Sequence, residues 1–449
     1  MKRILIRAGI SPLENYSASE MLLSDNRIMD FGNNAIGNNN GNMLYAFSVI
    51  RTIMKDEDWI IDADHYKYEA YIATDEEIDY VNNTYDMYVL PLANAFRHKY
   101  RFALSRLTDF IQRINIPVVV IGIGVGNPKD VEANQDTIKA FIKAALDKSA
   151  IIGVRGNDTV KALSKIGCIE GKEITAIGCP SAYTFGPTIK VREPKYGRFS
   201  KIVFNDNVRS KNQVHNFLYS AMTKHRNAWY MPQMLEELRE LYVGIPTDSV
   251  NDPPEIFPSN IYHPYFKRGK SKFFLNIPTW LDFMSDAGIS IGPRMHGNVI
   301  PVLAGTPSLF IAIDSRMQDM VKYHHYPYVL QKDIDSNTTL ESLVEKMDYS
   351  EFYKHQQANF DHYLDFLKMN NVPSIYDDGT VPKRGEAPFD KLIQTIDFHP
   401  GVTPINKCSK KEMTARLTSF FPEENAVIRD LRKEARDMKR KEIQRMNEQ

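Results

Sequence analysis

The chain has 449 residues, more than one compact core usually holds, and predicts two domains of about 200 residues each. Its 56 basic and 56 acidic side chains cancel, which argues against nucleic acid as an obligate partner, while 43% hydrophobic and 25% charged residues are typical of a globular protein in water. Only three cysteines occur, Cys168, Cys179 and Cys408. Such a sparse, odd set predicts a reducing compartment and supplies no metal-binding motif.

Residues 2–10, at the amino terminus, predict a first strand. Their apolar run is short and interrupted by Arg7, unlike a secretion signal, and no window reaches the ~18 apolar residues of a membrane-spanning helix. We therefore expect a cytoplasmic protein.

A loop rich in glycine and asparagine at residues 31–42, FGNNAIGNNNGN, precedes a predicted helix at residues 43–54. Both residue types tolerate positive φ angles and expose backbone N–H groups, so the loop, with Asn38 inside it, is a candidate ligand-binding loop. A low-complexity linker is the alternative, because the spacing of a phosphate-binding loop is absent.

Strand and helix patterns then alternate as in a doubly wound parallel sheet. Strands are predicted at residues 58–61, 85–90, 116–126, 150–155 and 173–178, and helices at residues 103–114, 131–147 and 159–166. Three glycines end the third of these strands, where a tight turn is favoured over a phosphate contact because the dinucleotide fingerprint is absent. Asp158 is the predicted cap of the third helix. Arg155, at a strand end, is a candidate ligand residue, although a surface ion pair is the favoured expectation.

Residues 186–200, rich in proline, glycine and charge, are the predicted interdomain linker. The alternation then restarts with strands at residues 201–204 and 228–231 and a helix at residues 211–223, and Arg209 follows the first strand. We expect a first domain at residues 1–190, a second at residues 200–400 and a helical extension at residues 401–449. Residues 350–370 predict a long helix. Residues 426–448 predict a charged, solvated helix whose basic cluster leaves open a peripheral membrane contact.

The most informative stretch is residues 285–326. A short buried strand at residues 288–292, a turn at Gly292-Pro293, a helix at residues 295–303 and a strand at residues 308–313 form a strand–helix–strand unit. Arg294, His296 and Gly297 are therefore expected at the carboxyl edge of a parallel sheet, where ligands bind.

This edge has the composition of an anion site. The helix start offers backbone N–H groups, Arg294 adds a forked donor, Gly297 lets a ligand approach the backbone, and His296, with an ordinary pKa of about 6.5, can give or take a proton. Asp314 and Arg316 leave the next strand and are expected beside this cluster. The alternative is purely structural, with a capping residue and a packed imidazole ring.

The run IGPRMHGNVIPVLAGTPSLFIAIDSR resembles the polysaccharide pyruvyl transferase family, whose hallmarks are an Arg-x-His-Gly turn after a strand, a Gly-x-Pro stop and an Asp-Ser-Arg ending the next strand. The similarity is close over residues 280–327 and weaker from about residue 32 to residue 326. It implies an α/β fold with two Rossmann-like doubly wound domains facing a cleft, as in glycosyltransferase-B enzymes.

The resemblance also implies a reaction, the transfer of a pyruvyl group from phosphoenolpyruvate to two hydroxyls of a sugar in a surface or capsular polysaccharide or its precursor. The product is a cyclic ketal, and phosphate is released. We assign acid–base work to His296, with Asp314 orienting it or the sugar. The expected substrate-binding residues are Arg294, Arg209, Met295, Gly297, Arg316 and Asn38.

No metal or cofactor is expected beyond the donor substrate. Two alternatives stay open, a nucleotide-sugar-dependent glycosyltransferase in which Arg294 holds a diphosphate, and a non-catalytic scaffold protein. The sequence leaves open which sugar is the acceptor, whether it is lipid-linked, and how many subunits assemble.

Overall fold

The computed structural model describes residues 2–27, 36–246, 256–421 and Lys433. Each half of the chain forms a parallel sheet, which confirms the predicted fold class. The strands of the first half are β1 (Arg3–Ile6), β2 (Ile60–Ala63), β3 (Met87–Pro91), β4 (Val118–Ile121), β5 (Ile152–Val154) and β6 (Ile174–Ala176). Those of the second half are β7 (Ile202–Phe204), β8 (Ala228–Tyr230), β9 (Ile289–Gly292), β10 (Ser308–Ala312) and β11 (Tyr328–Leu330).

Helices connect most of these strands and cover the faces of the sheets. In the first half they are α1 (Ala18–Arg27), α2 (Gly41–Ile53), α3 (Lys67–Ala70), α4 (Asp75–Thr84), α5 (Arg101–Arg113), α6 (Pro128–Ala133), α7 (Gln135–Leu146) and α8 (Asn157–Ser164). In the second half they are α9 (Asn212–Lys224), α10 (Leu235–Val243), α11 (Pro264–Lys267), α12 (Ile277–Met284), α13 (Met295–Leu303), α14 (Ser315–Tyr323), α15 (Leu340–Val344), α16 (Ser350–Met369), α17 (Pro388–Gln394) and α18 (Lys410–Phe420). Within the described residues, none of these helices is both long and apolar enough to cross a membrane.

Both sheets follow the same strand order. The first runs β2-β1-β3-β4, and a parallel bridge between Ile123 and Val154 continues it to the β5-β6 pair. The second runs β8-β7-β9-β10-β11. In each sheet the second strand lies on one side of the first, and the later strands are added on the other side. The strand order therefore reverses between β1 and β3 and between β7 and β9, and these are the switch points. Ligands of doubly wound sheets bind outside the carboxyl ends of the strands at such points.

The central strands are buried on both faces because helices cover both sides of each sheet. Every residue of β3, β4, β9 and β10 is buried. Their sequences, MYVLP, VVVI, ISIG and SLFIA, are accordingly continuous apolar runs and not an alternation of apolar and polar residues.

Contacts between the two halves bring the sheet edges face to face. The Asp319 carboxylate in α14 accepts hydrogen bonds from the backbone N–H groups of Asp158 (2.9 Å) and Thr159 (3.1 Å) at the start of α8. The prediction that Asp158 caps this helix is therefore wrong. The helix begins at Asn157, and a carboxylate 160 residues further along the chain satisfies its free N–H groups.

The chain after the second sheet returns to the first half. Asn370, just beyond α16, accepts hydrogen bonds from the N–H groups of Ala150 (2.9 Å) and Ile151 (3.2 Å). The fully buried guanidinium of Arg51 in α2 contacts the Asp390 carboxylate in α17 at 2.9 Å. The predicted long helix at residues 350–370 is confirmed as α16, and the predicted domain limits stay predictions.

Two further predictions concern helices. The single helix predicted at residues 131–147 is wrong in detail, because α6 ends before Asn134 and α7 begins after it. The charged helix predicted at residues 426–448 lies outside the described residues, apart from Lys433.

Candidate functional site

A cleft of about 580 Å³ lies between the carboxyl edges of the two sheets. The residues that follow β1, β3, β7 and β9 line it, together with the first residues of α13 and α14. Seven of the eight predicted site residues are brought together here: Asn38, Arg209, Arg294, Met295, His296, Asp314 and Arg316. Gly297, the eighth, does not line the cleft.

Arg294 is held rigidly at the second switch point. Its backbone N–H donates to Asn205 Oδ1 at 2.8 Å, and its Nε donates to the carbonyl oxygen of Asp206 at 2.7 Å. Only 8% of the residue is exposed, and its Nη2 has no hydrogen-bond partner among the described residues, although a Glu237 carboxylate oxygen lies 3.9 Å away. A buried N–H group without a partner is costly, and Arg294 therefore retains donor capacity that its protein neighbours do not use.

His296 lies one residue into α13, half-buried at the floor of the cleft. Its ring meets the Tyr45 ring edge-on with centroids 5.6 Å apart, and its Nε2 lies 3.8 Å from Cys179 Sγ. A Cβ added to Gly41 would come within 2.9 Å of His296 Nδ1, so the glycine at the start of α2 lets this helix approach the imidazole closely. His296 therefore sits where both halves of the chain meet.

The expectation of an ordinary pKa for His296 is wrong. Burial, and next the positive charge of Arg155, lower the pKa of His296 to about 3. The imidazole is consequently neutral near pH 7, so it can accept a proton from a bound hydroxyl before it has one to give.

Arg155 follows β5 and is 7% exposed, so the expected surface ion pair is also wrong. Its Nη2 donates to the Tyr45 hydroxyl at 2.6 Å, and that hydroxyl donates to the carbonyl oxygen of Gly122 at 3.0 Å. Its Nε has no hydrogen-bond partner among the described residues, and the side chain lines the cleft. Arg155 is thus a second buried guanidinium, supplied by the first half of the chain.

Asp314 and Arg316 form an ion pair with each other at the start of α14. The other carboxylate oxygen of Asp314 accepts a hydrogen bond from Met317 N at 3.0 Å and so caps the helix. Both side chains line the cleft, and the pairing holds the Arg316 guanidinium at its rim.

Further basic side chains complete the wall, and sequence reasoning missed several of them. Among the described residues, the cleft is lined by seven basic side chains and three acidic ones: Arg7, Arg97, Lys99, Arg155, Arg209, Arg294 and Arg316 against Glu236, Glu237 and Asp314. Desolvation lowers the pKa of Arg97, and so do the charges of Arg316, Arg209 and Arg7, because these guanidinium groups lie close together. The cleft of a chain with zero net charge is therefore strongly cationic.

Arg7 is one of the lining residues that sequence reasoning missed. The predicted first strand ran on to Ile10 and so contained Arg7, whereas β1 ends at Ile6 and Arg7 directly follows it. The Arg7 guanidinium forms an ion pair with the buried Glu69 carboxylate, and its Nη2 donates to the Tyr100 hydroxyl at 3.2 Å. Its positive charge is therefore already paired.

The glycine- and asparagine-rich loop joins the two halves as well as lining the cleft. Asn38 has a φ of 67°, and its carbonyl oxygen accepts a hydrogen bond from Leu235 N at 3.2 Å. Asn40 N donates to the carbonyl oxygen of Gln233 at 3.0 Å, and the Asn40 side chain donates to that of Phe274. The described part of this loop, residues 36–42, is therefore held by hydrogen bonds to the second half and is not a low-complexity linker.

Met295 and Gly297 differ in their surroundings. Met295 is half-buried and lines the cleft, whereas Gly297 is buried. A Cβ on Gly297 would lie 2.1 Å from Gln233 Nε2, so the glycine makes room for this amide. Its surroundings point to close packing between α13 and the segment before α10.

Comparisons with known proteins bear on the identity of this site. A family model described as polysaccharide pyruvyl transferase matches residues 60–315, more than half of the chain. This range contains Arg155, Arg294 and His296. No curated protein matches the sequence.

Among solved structures, the chain is similar to a putative UDP-N-acetylglucosamine 2-epimerase from Listeria monocytogenes, with 11% identity, a TM-score of 0.39 and coverage of 89% of this chain and 98% of that one. It is also similar to sucrose-phosphate synthase from Thermosynechococcus elongatus, with 10% identity, a TM-score of 0.42 and coverage of 83% of this chain and 98% of that one. A third similar structure is UDP-GlcNAc 2-epimerase from Neisseria meningitidis, with 9% identity, a TM-score of 0.40 and coverage of 82% of this chain and 100% of that one. None of these likenesses is close enough to bear on activity.

Proposed function

The chain belongs to the polysaccharide pyruvyl transferase family, and on that premise we propose that it transfers a pyruvyl group from phosphoenolpyruvate to two hydroxyls of a sugar. The acceptor belongs to a surface or capsular polysaccharide or its precursor. The product is a cyclic ketal, and inorganic phosphate is the leaving group.

One observation carries the proposal. Arg294 from the second half and Arg155 from the first are both nine-tenths buried at the cleft, and each keeps an N–H group without a hydrogen-bond partner among the described residues. Phosphoenolpyruvate bears a phosphate and a carboxylate on one small carbon frame, and guanidinium groups bind both by charge-assisted hydrogen bonds. A donor bound in the cleft beside the two arginines would set its phosphate and carboxylate against their positive charges.

His296 is the proposed proton carrier. Its neutral imidazole takes the proton of the first sugar hydroxyl, whose oxygen bonds to C2 of the enolpyruvyl group, and the imidazolium passes that proton to C3, which becomes a methyl group. The bound dianion offsets the charge of Arg155, which favours the imidazolium form during this step. The second hydroxyl oxygen then bonds to C2, the C2–O bond to phosphate breaks, and phosphate leaves with that bond's electrons and the second proton.

Arg316, Arg209 and the start of α13 complete the proposed donor side, and Asp314 fixes Arg316 by its ion pair. Asn38 faces the same cleft from the first half, where we place the sugar. We also propose a cytoplasmic location, with peripheral membrane contact and a lipid-linked acceptor left open. No cofactor enters this scheme.

Binding is the first test. Phosphoenolpyruvate should raise the melting temperature of the protein, because a ligand that binds only the native state stabilises it, whereas UDP-sugars should not. Stabilisation by the UDP-sugars alone would instead favour the glycosyltransferase alternative.

Turnover is the second test, measured as phosphate release from phosphoenolpyruvate with a panel of sugar acceptors. His296→Ala should abolish turnover and retain the melting temperature. Arg294→Lys should raise KM for the donor, since one ammonium group cannot replace a two-pronged guanidinium. His225→Ala, a histidine outside the cleft lining, is the matched control and should behave as wild type. A wild-type rate in either cleft variant contradicts the role given to that residue.

A further inference from the structure

Three potential metal ligands meet on the surface away from the cleft lining. His325 lies in the turn between α14 and β11, and Glu351 and His355 lie one helical turn apart near the start of α16. One ligand atom from each residue lies within 4.8 Å of the other two. His325 and His355 also stack, with ring centroids 3.8 Å apart and planes inclined by 15°. None of the three belongs to the cleft described above.

The hydrogen bonding of His355 leaves one ring nitrogen free for a ligand. Its Nδ1 lies 2.8 Å from the carbonyl oxygen of Glu351, four residues earlier in the same helix. A carbonyl can only accept, so Nδ1 carries the proton and Nε2 presents a lone pair. A ring N–H donated to a backbone carbonyl is the usual way in which proteins orient a metal-binding imidazole.

The backbone around His325 is fixed against the same helix on both sides. The carbonyl oxygen of Tyr323, two residues earlier, accepts a hydrogen bond from Asn359 Nδ2 at 3.0 Å. On the other side, the Tyr326 ring stacks on the Phe352 ring with centroids 5.3 Å apart. His325 itself has a φ of 55°. The turn therefore holds the His325 imidazole over α16, which lowers the entropy cost of gathering the ligands.

We propose that His325, Glu351 and His355 bind one divalent transition-metal ion of the zinc type. Two imidazoles with one carboxylate suit Zn²⁺ and its neighbours, whereas Mg²⁺ and Ca²⁺ prefer oxygen ligands alone. Ligand atoms bonded to one tetrahedral Zn²⁺ at about 2.0–2.2 Å lie roughly 3.5 Å apart, so side-chain rotation must bring these three about 1 Å closer. Water would complete the coordination on the open side.

One neighbouring charge opposes the ion. Lys354 Nζ lies 3.6 Å from a Glu351 carboxylate oxygen. Both side chains are well exposed, so this ion pair is weak, and a divalent ion bonded to the same carboxylate would displace the ammonium group into water.

The bound ion would tie the second sheet more firmly to α16, a helix whose far end contacts the first half of the chain. The α14–β11 turn belongs to the second sheet, while the far end of α16 is anchored to the first, where His362 Nε2 lies 2.9 Å from Thr175 Oγ1 and Asn370 bonds to the backbone before β5. A metal bridge between the turn and α16 would therefore restrain relative movement of the sheets. This site is structural, and it does not depend on the proposed reaction.

Titration of the full-length, metal-free protein, without an affinity tag, with ZnCl₂ by calorimetry tests the proposal. We expect one equivalent to bind and the melting temperature to rise. His325→Asn and His355→Ala should each weaken Zn²⁺ binding at least tenfold, and asparagine suits the positive φ at position 325. His225→Asn is the matched control and should bind as wild type.

Co²⁺ gives an independent readout, because its visible absorption bands report coordination by nitrogen ligands. The bands should appear in wild type and in the control and be lost in both cluster variants. Melting temperatures without metal establish that each variant is folded. Absence of Zn²⁺ binding in wild type overturns the proposal. Binding in both cluster variants as strong as in wild type also overturns it, since the ion then binds elsewhere, for example at the part-exposed Cys408.

Discussion

Replacing Arg155 by glutamine separates the contributions of the two buried guanidinium groups. Glutamine keeps a donor toward the Tyr45 hydroxyl, which Arg155 Nη2 contacts at 2.6 Å, but removes the charge. A hydrogen bond to a charged group contributes about 1.5–3 kcal/mol, so loss of one between Arg155 and the donor should lower kcat/KM roughly 10- to 150-fold.

The same substitution has a second consequence that simple damage would not produce. The charge of Arg155 helps burial to hold the pKa of His296 down at about 3. Without this charge, burial alone lowers the pKa, and imidazolium forms more readily. Since His296 must begin neutral, the acid limb of kcat/KM, which reports groups of the free enzyme, should move to higher pH.

The assay is phosphate release as a function of pH, at saturating acceptor and varied phosphoenolpyruvate. Arg209→Gln is the matched control, because Arg209 also lines the cleft but is not among the groups that shift the pKa of His296. It should raise KM for the donor and leave the acid limb in place. The reasoning is refuted if Arg155→Gln keeps the wild-type kcat/KM, or loses activity with an unmoved acid limb.

Two further predictions concern stability. Burial, with the charges of His325 and Arg155, lowers the pKa of His324 to about 3, and burial lowers that of His263 to about 4. The unfolded chain takes up protons below about pH 6.5 while these folded rings stay neutral, so stability falls as pH drops, by about 2 kcal/mol per ring at pH 5. Urea midpoints at pH 7 and pH 5 measure this loss, and His324→Asn should reduce it; equal losses in variant and wild type contradict the assignment. Asp319→Asn should weaken the cap of α8 and lower the free energy of unfolding, measured with urea, by about 1–2 kcal/mol. Ser315→Ala, which removes an exposed hydrogen bond to the carbonyl oxygen of Gly126, is the control. A loss no larger than that of the control contradicts the capping role.

Local patterns predicted much of the fold because the signals lie next to the elements they specify. The buried run before Gly292-Pro293 and the stop at Gly305 predicted β9 and α13 nearly to the residue. Helix α4 escaped prediction although Thr74 and Glu77 form a capping box at its start, with Glu77 N bonded to Thr74 Oγ1. That signal was present in the sequence and was not used.

Features that depend on distant residues could not be predicted in the same way. The cap of α8 comes from Asp319, and the low pKa of His296 comes from its burial and from Arg155, which lies in the other half of the chain. Arg155 itself follows a strand end, and its position was noted, but periodicity cannot tell whether a strand end faces solvent or a second domain. Only the packing of one sheet edge against the other decides this.

The charge of the cleft illustrates the same limit and is the reason for placing the proposed anion site there. Zero net charge describes the whole chain, whereas the repeated strand order gives each sheet a switch point, and the cleft brings both together. Arg7 and Arg155 directly follow strands of the first half, and Arg209 and Arg294 lie just after strands of the second sheet. The topology thus brings together residues far apart in sequence, and the donor dianion of the proposed reaction, bound between the sheets, would contact both halves of the chain at once. Donor binding and approach of the two sheets should therefore be coupled, since the buried guanidinium groups repel one another until the anion lies between them.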